Sequence, residues 1–297
     1  MFLKRNFSVD WRKASALHCA GFTTPAHACI GPHPGHERKS VSMLSRIRAV
    51  FCAIFVAGLI SLSHAQAPIA RHSFASSVIA TKPLAYYRLQ TTSGKSEVGS
   101  TTYKLKGGVT TSTPGPIHTD IERDAYAKFD GKTGSILTTQ TGGIATDCTI
   151  LAWVNLASLP SSKHRIYYVA GESQAGNDLD IQIESDDVVR FFTAGGGSVS
   201  YQPPKGTLAG RWHMIVATLH AGNNGSRQIF WDGKLVAHDT GGGTPHKTRP
   251  FSIGNSTYFS DRWFDGGISE VALWNRVLSG SEIASIYAAS RPLSTGE

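Results

Sequence analysis

From residue 74 to about 290 the apolar residues come in short runs. Gly, Asn, Asp, Ser and Pro interrupt them so often that a helical i, i+3, i+4 spacing is almost nowhere sustained. A chain punctuated this way is confined to strands and tight turns. Alternation along a run buries one face of a sheet, and the interrupting residues supply the backbone conformations that reverse the chain. The clearest runs are 85–89, 127–129, 149–154, 166–170, 178–184, 188–193, 212–219, 228–231, 235–239, 251–253 and 267–274. Glycines cluster between them, at Gly107-Gly108, Gly142-Gly143, Gly195-Gly196-Gly197 and Gly241-Gly242-Gly243. Asn224-Gly225 and Asp232-Gly233 are dipeptides that favour type I′ hairpins, whose two central residues both need positive φ. The pattern predicts one all-β domain over 74–290.

One short helix is legible near the end. Ser279 and Glu282 have the spacing of a capping box, in which each side chain satisfies an orphan backbone donor of the other. Ile283, Ile286 and Tyr287 then fall on one face, and Arg291-Pro292 ends the segment. A helix of this length is not stable alone and is predicted to dock on the β domain.

The N-terminal part reads differently. Residues 43–67 place Arg46 and Arg48 before an apolar run of about 14 residues, 49–62, followed by Ser63-His64-Ala65 and Ala65-Gln66-Ala67. Positive, apolar, then small is the order of a secretory signal peptide, and the run is short of the ~20 residues that span a bilayer. Export to the periplasm or outside the cell is expected, with no transmembrane span. Residues 1–42 precede this leader without periodicity and read as an over-extended start or a disordered extension. Their Cys19, Cys29, His18, His27, His33 and His36 fit no zinc spacing.

The leader also carries most of the charge. Eight of the 29 Lys+Arg and two of the 21 Asp+Glu precede residue 68, so 21 basic and 19 acidic residues remain and the net charge falls from +8 to +2. Nucleic-acid binding thereby loses its electrostatic motive. Cys148 is the single cysteine after residue 67, which excludes an intrachain disulfide there. A chain of this size buries enough apolar surface without one.

Along 212–219 both alternate sets are largely apolar, with Trp212, Met214 and Val216 on one side and Ile215, Ala217 and Leu219 on the other. Such a strand is packed on both faces. Trp153, Trp212 and Trp231 are therefore read as core. His213, inside the same strand, is read as a structural histidine and Cys148 as buried packing.

Six segments follow one another in a particular order. They are Lys82-Pro83-Leu84-Ala85-Tyr86-Tyr87-Arg88-Leu89, Ala127-Lys128-Phe129-Asp130-Gly131, Cys148-Thr149-Ile150-Leu151-Ala152-Trp153-Val154, Arg211-Trp212-His213-Met214-Ile215-Val216-Ala217-Thr218, Ile229-Phe230-Trp231-Asp232-Gly233-Lys234-Leu235-Val236, and the stretch from Phe264 to Tyr287. Together, over about 82–288, they resemble the laminin-G-like jelly-roll domains of the concanavalin A-like lectin/glucanase superfamily. The resemblance implies a two-sheet antiparallel jelly-roll sandwich with one short C-terminal helix. That fold carries lectins, glycan-binding modules, adhesion domains and glucanases, so function must be argued from a site.

The superfamily's laminarinase-type glycosidases offer the enzymatic test. A retaining pair needs two carboxylates about 5–5.5 Å apart. Along 178–184 the nearest residues are Asp178, Asp180, Gln182 and Glu184 on one face, with Leu179, Ile181 and Ile183 on the other. Gln182 stands where a compact motif would have its second Glu, and Glu184 is about 13 Å beyond Asp180 on an extended strand. The spacing argues against catalysis. The polar row is then either a solvated sheet face or, through Asp178 and Asp180, a wall of a ligand groove. No G-x-S-x-G elbow, H-E-x-x-H or phosphate loop occurs.

The loop 255–263, Asn-Ser-Thr-Tyr-Phe-Ser-Asp-Arg-Trp, is the most unusual in the chain. Sugars present apolar faces that stack on aromatic rings and hydroxyls that pair with charged groups. Tyr258, Asp261, Arg262 and Trp263 supply both, and the alternative is that Tyr258, Phe259 and Trp263 only cap the core. No cofactor is expected. Calcium is the one metal that the resemblance raises, with Asp265 and Asp130 as its donors, and Ser269 stands where relatives often carry Asp. The reading is a secreted non-catalytic module for carbohydrate or a cell-surface glycan, with a cell-envelope component as partner. The alternatives are a structural or adhesion domain with a protein partner, and a glycoside hydrolase, which the spacing disfavours.

Overall fold

The computed structural model describes residues 73–291 except 118–123, 142–145, 164, 173–178, 194, 196, 223 and 244–249. The leader, the extension before it, Asp178 and Pro292 lie outside the described residues. In chain order come α1 (Phe74–Ala80), β1 (Ala85–Tyr87), β2 (Ser93–Lys95), β3 (Thr102–Lys106), β4 (Val109–Ser112), β5 (Tyr126–Asp130), β6 (Ser135–Thr141), β7 (Cys148–Leu156), α2 (Pro160–Lys163) and β8 (Tyr167–Glu172). They continue with β9 (Leu179–Ile183), β10 (Val189–Thr193), β11 (Gly197–Tyr201), β12 (His213–His220), β13 (Ser226–Trp231), β14 (Lys234–Asp239), β15 (Pro250–Ile253), β16 (Asp265–Trp274) and α3 (Gly280–Ala288).

Two antiparallel sheets form a sandwich. The first runs β14-β13-β12-β7-β16-β5-β4, with β1 also on β16, and the second runs β11-β10-β9-β8-β15-β6-β3-β2. Between them lies the main core. Ile150, Ala152 and Val154 of β7 and Ile215, Ala217 and Leu219 of β12 meet Val169 of β8, Leu179, Ile181 and Ile183 of β9, Phe191 of β10 and Phe251 of β15. The alternate residues of the first sheet, Leu151, Trp153, Met214, Val216, Ala272 and Trp274, point outward and would face water. Instead Phe74 and Val78 of α1 and Ile283 and Ile286 of α3 cover them. A strand packed on both faces, as read for 212–219, follows directly. Each fully buried Ile of α3 contributes about 1.5–3 kcal/mol by leaving water, which a nine-residue helix needs.

The capping box is present: the Ser279 hydroxyl accepts from the Glu282 N–H, and the Glu282 carboxylate accepts from the Ser279 N–H. Asp232-Gly233 has φ of 50° and 79°, as a type I′ turn requires. Asn224-Gly225 does not: among the described residues of that turn the positive φ is at Gly222, and the Gly225 N–H closes onto the Gly222 carbonyl at 3.0 Å. Trp153 and Trp231 are inside at 5% and 8% exposure. Trp212 is only partly buried, edge-on to Tyr126 with centroids 5.0 Å apart, because it precedes β12 at the sheet's end. Among the described residues there are three short helices rather than one, and no helix is long and apolar enough to cross a membrane.

Candidate functional site

The loop 255–263 leaves β15 and returns to β16 through one closing bond, from the Phe264 N–H to the Gly254 carbonyl at 2.9 Å. Gly254 has φ of 76°, and a Cβ there would fall 1.9 Å from the Phe129 ring, so only glycine fits. Inside the loop the Ser256 hydroxyl accepts from the N–H groups of Tyr258 and Phe259 at 3.0 and 2.9 Å. This local bonding holds the two rings edge to face, and the Arg262 guanidinium lies 3.6 Å over the Phe259 ring. Tyr258 projects outward, 54% exposed.

Arg262 turns the other way and straps the loop down. Its carbonyl accepts from the Tyr168 N–H at 3.2 Å, and its Nη1 donates to Gln182 Oε1 at 2.8 Å. The Gln182 Nε2 in turn donates to Asp180 Oδ1 at 2.6 Å. The polar row along β9 is therefore not a solvated face. Asp180 and Gln182 are fully buried, as is Tyr168 beside them. Burying these groups without partners would cost several kcal/mol, so the bonds through Arg262 and Gln182 offset a penalty that the strand's alternation alone would impose. Glu184, at the open end of the row, is half-buried. Burial pushes its carboxyl up, and Arg190 and Arg262 oppose the rise.

Beside the strap lies a cleft of about 500 Å³. Its lining comes from four separate segments. The β5–β6 turn gives Lys132, the approach to β8 gives Arg165 and Ile166, the β9–β10 turn gives Ser185, and the loop gives Ser260, Asp261 and Trp263. Asp261 is exposed, and Arg165 and Trp263 are partly buried. Chemically this is an aromatic ring and an isoleucine beside two hydroxyls, two cations and one carboxylate. Such a mixture can hold a polyhydroxylated ligand.

Of the residues expected at a site, Asp261 and Trp263 meet in this cleft. Tyr258 rises from the same loop outside it. Arg262 is committed inward, and Asp180 is sealed beneath it. Lys132, Arg165 and Ser185 had no sequence signal, since each sits in an ordinary turn or connection far along the chain from 255–263.

The carboxylates do not assemble into a glycosidase pair along β9, where Asp180 is dry and already bonded to Gln182. Nor do the residues raised for calcium fit a metal. Partial burial would raise the Asp130 carboxyl, but the Thr133, Lys132 and Gly134 N–H groups and the Thr133 hydroxyl outweigh it and hold it at about 2. That carboxylate closes its own turn. Asp265 accepts from the Ser158 hydroxyl at 2.5 Å and lies 4.0 Å from the Lys163 ammonium. Among the described residues no three His, Cys, Asp or Glu converge as a metal site. His213 is pinned between Asp232 and the Thr207 carbonyl, each at 2.8 Å, under the Trp231 ring, which is a structural role.

One buried carboxylate stands apart from the cleft. Glu270 sits at a bulge of β16 with φ of 53° and is fully buried. Tyr86 donates its hydroxyl to it, and Arg88 Nε lies 3.3 Å away. Burial pushes its carboxyl up to about 8, with Arg88 and the Tyr86 bond opposing.

A family model described as Laminin_G_3, concanavalin A-like lectin/glucanases superfamily, matches residues 130–284, just over half of the chain. No curated protein matches the sequence. Among solved structures, the receptor binding domain of the botulinum neurotoxin C/D mosaic serotype is similar at a TM-score of 0.55 and 12% identity, over 70% of this chain and 51% of that one. The receptor binding domain of botulinum neurotoxin D is similar at 0.53 and 10%, over 69% and 52%. The binding domain of Paraclostridial Mosquitocidal Protein 1 is similar at 0.54 and 13%, over 69% and 51%. The chain thus spans about half the length of each, and at these identities the likeness is one of fold.

Proposed function

Because this chain belongs to the Laminin_G_3 family of the concanavalin A-like lectin/glucanases superfamily, we propose that its sandwich is a non-catalytic module that binds carbohydrate through the cleft at Trp263. The observation that carries this reading is the meeting of Trp263 with Asp261, Ser185 and Ser260 in one cleft, drawn from two separate segments. A ring offers a stacking face, and hydroxyls and a carboxylate offer partners for sugar hydroxyls. Ligand sites of this kind combine apolar walls with a few placed polar groups.

Two further observations support binding over hydrolysis. Within β9, Asp180 and Gln182 are buried and bonded to each other, so Asp180 is no exposed acid or nucleophile. The similar solved structures named above are binding domains by their own descriptions. The leader pattern of residues 43–67 supports work outside the cytoplasm.

A glycan array probed with the purified protein and with its Trp263→Ala variant tests the reading. Saccharide hits lost in the variant support it. An array without hits, alongside capture of a defined envelope protein, favours the adhesion alternative.

A further inference from the structure

Three charged side chains at the cleft lack partners. Among the described residues, Lys132, Arg165 and Asp261 make no side-chain hydrogen bond or ion pair, whereas Arg88, Arg190, Arg227 and Arg276 each hold a carboxylate. Of the carboxylates next to the cleft in sequence, Glu184 is half-buried and lies in the field of Arg190 and Arg262, not of Lys132 or Arg165, and the others are engaged elsewhere. Asp130 closes its turn, Asp265 holds Ser158 and faces Lys163, Asp186 holds Arg190, and Asp187 accepts from the Ser161 N–H and hydroxyl. The cleft therefore presents two uncompensated cations against one carboxylate, from segments that the fold brings together. A lone cation on a surface is ordinary. Two from different turns, converging on one cleft beside an aromatic ring, make an anion-binding arrangement.

We propose that the cleft takes an acidic saccharide, with Lys132 and Arg165 pairing its anionic group while Trp263 stacks on the ring. The anionic group is a carboxylate, as in a uronate or sialate, or a sulfate ester; both are planar or tetrahedral oxyanions that accept from a guanidinium and an ammonium. This inference rests on the carbohydrate reading and narrows its ligand class. Asp261 stays available to sugar hydroxyls and opposes a second negative charge, which selects singly charged residues over densely charged ones.

Matched probes test it: sialyllactose against lactose for the carboxylate, and a sulfated against an unsulfated galactose oligosaccharide for the ester, each titrated calorimetrically into the full chain. The expected result is that one acidic member binds at least about tenfold more tightly than its neutral match. That advantage shrinks with added NaCl, as exposed charges are screened, and disappears in Lys132→Ala/Arg165→Ala, whose melting temperature is unchanged. Lys132→Arg keeps most of it. Equal binding of acidic and neutral members, lost in Trp263→Ala, overturns the acidic inference and leaves the carbohydrate reading standing. An acidic preference that survives the double alanine variant overturns the assignment to Lys132 and Arg165. No binding of any probe, with a glycan array also blank, overturns both.

Discussion

Arg262 Nη1 donates to Gln182 Oε1 at 2.8 Å, and this bond ties the loop 255–263 to the outer face of β9. Removing it leaves the Gln182 carbonyl and its bonded neighbour Asp180 buried with one partner fewer. An unsatisfied buried polar group costs about 1–3 kcal/mol, so Arg262→Ala is expected to destabilise by that amount in chemical denaturation. A variant as stable as wild type, with only ligand binding impaired, would mean that Arg262 serves the ligand and not the strap.

Trp263 and Trp153 differ in the same experiment. Trp153 is 5% exposed between Phe74 and Tyr287, and aromatic truncation in a core costs about 3–5 kcal/mol. Trp263→Ala removes a partly exposed ring and is expected to cost clearly less. Equal losses in the two melting curves would make Trp263 a core residue and withdraw it from the site.

Glu270 gives stability a pH dependence. Its carboxyl is raised to about 8 in the fold from an ordinary 4.5, so between those values the native state holds a proton that the unfolded chain has lost. Stability on this account is greatest below about 4.5, falls as pH rises through the window, and levels off above about 8. Glu270→Gln removes the ionisation, so the difference in stability between variant and wild type should move in the variant's favour from pH 5 to pH 8. A difference that does not change over that range would contradict the buried, proton-holding assignment.

Chelation should do little. Asp130 is committed to its own turn and Asp265 to Ser158 and Lys163, and anything bound only to the native state would raise its melting temperature. EDTA is expected to leave the thermal transition in place. A clear drop that calcium restores would show a metal site elsewhere in the chain.

How much of this was legible in the sequence depends on how local each signal is. The α3 cap, the Asp232-Gly233 turn and the doubly packed strand β12 were readable because neighbouring residues determine them. Helix α1 was not. It has seven residues and no acidic residue in its first turn, and its stability comes from Phe74 and Val78 meeting the outer face of the first sheet. The alternation along β9 correctly put Asp180 and Gln182 on one face. Whether that face meets water was set by Arg262, 80 residues later in the chain. Half of the cleft escaped for the same reason: Lys132, Arg165 and Ser185 become neighbours of Asp261 and Trp263 only when the β5–β6 turn, which crosses from the first sheet to the second, folds beside the ends of β8 and β9. Asn224-Gly225 failed because its connection places the positive φ at Gly222 instead.

The most direct measurement is calorimetric titration of the strongest glycan-array hit into wild type and Trp263→Ala, with both melting curves recorded. The account predicts saturable saccharide binding by wild type, weakened about tenfold or more in the variant, with the variant still folded and far more stable than Trp153→Ala. Saccharide binding that is indifferent to Trp263, or no saccharide bound by a well-folded wild type, would contradict it.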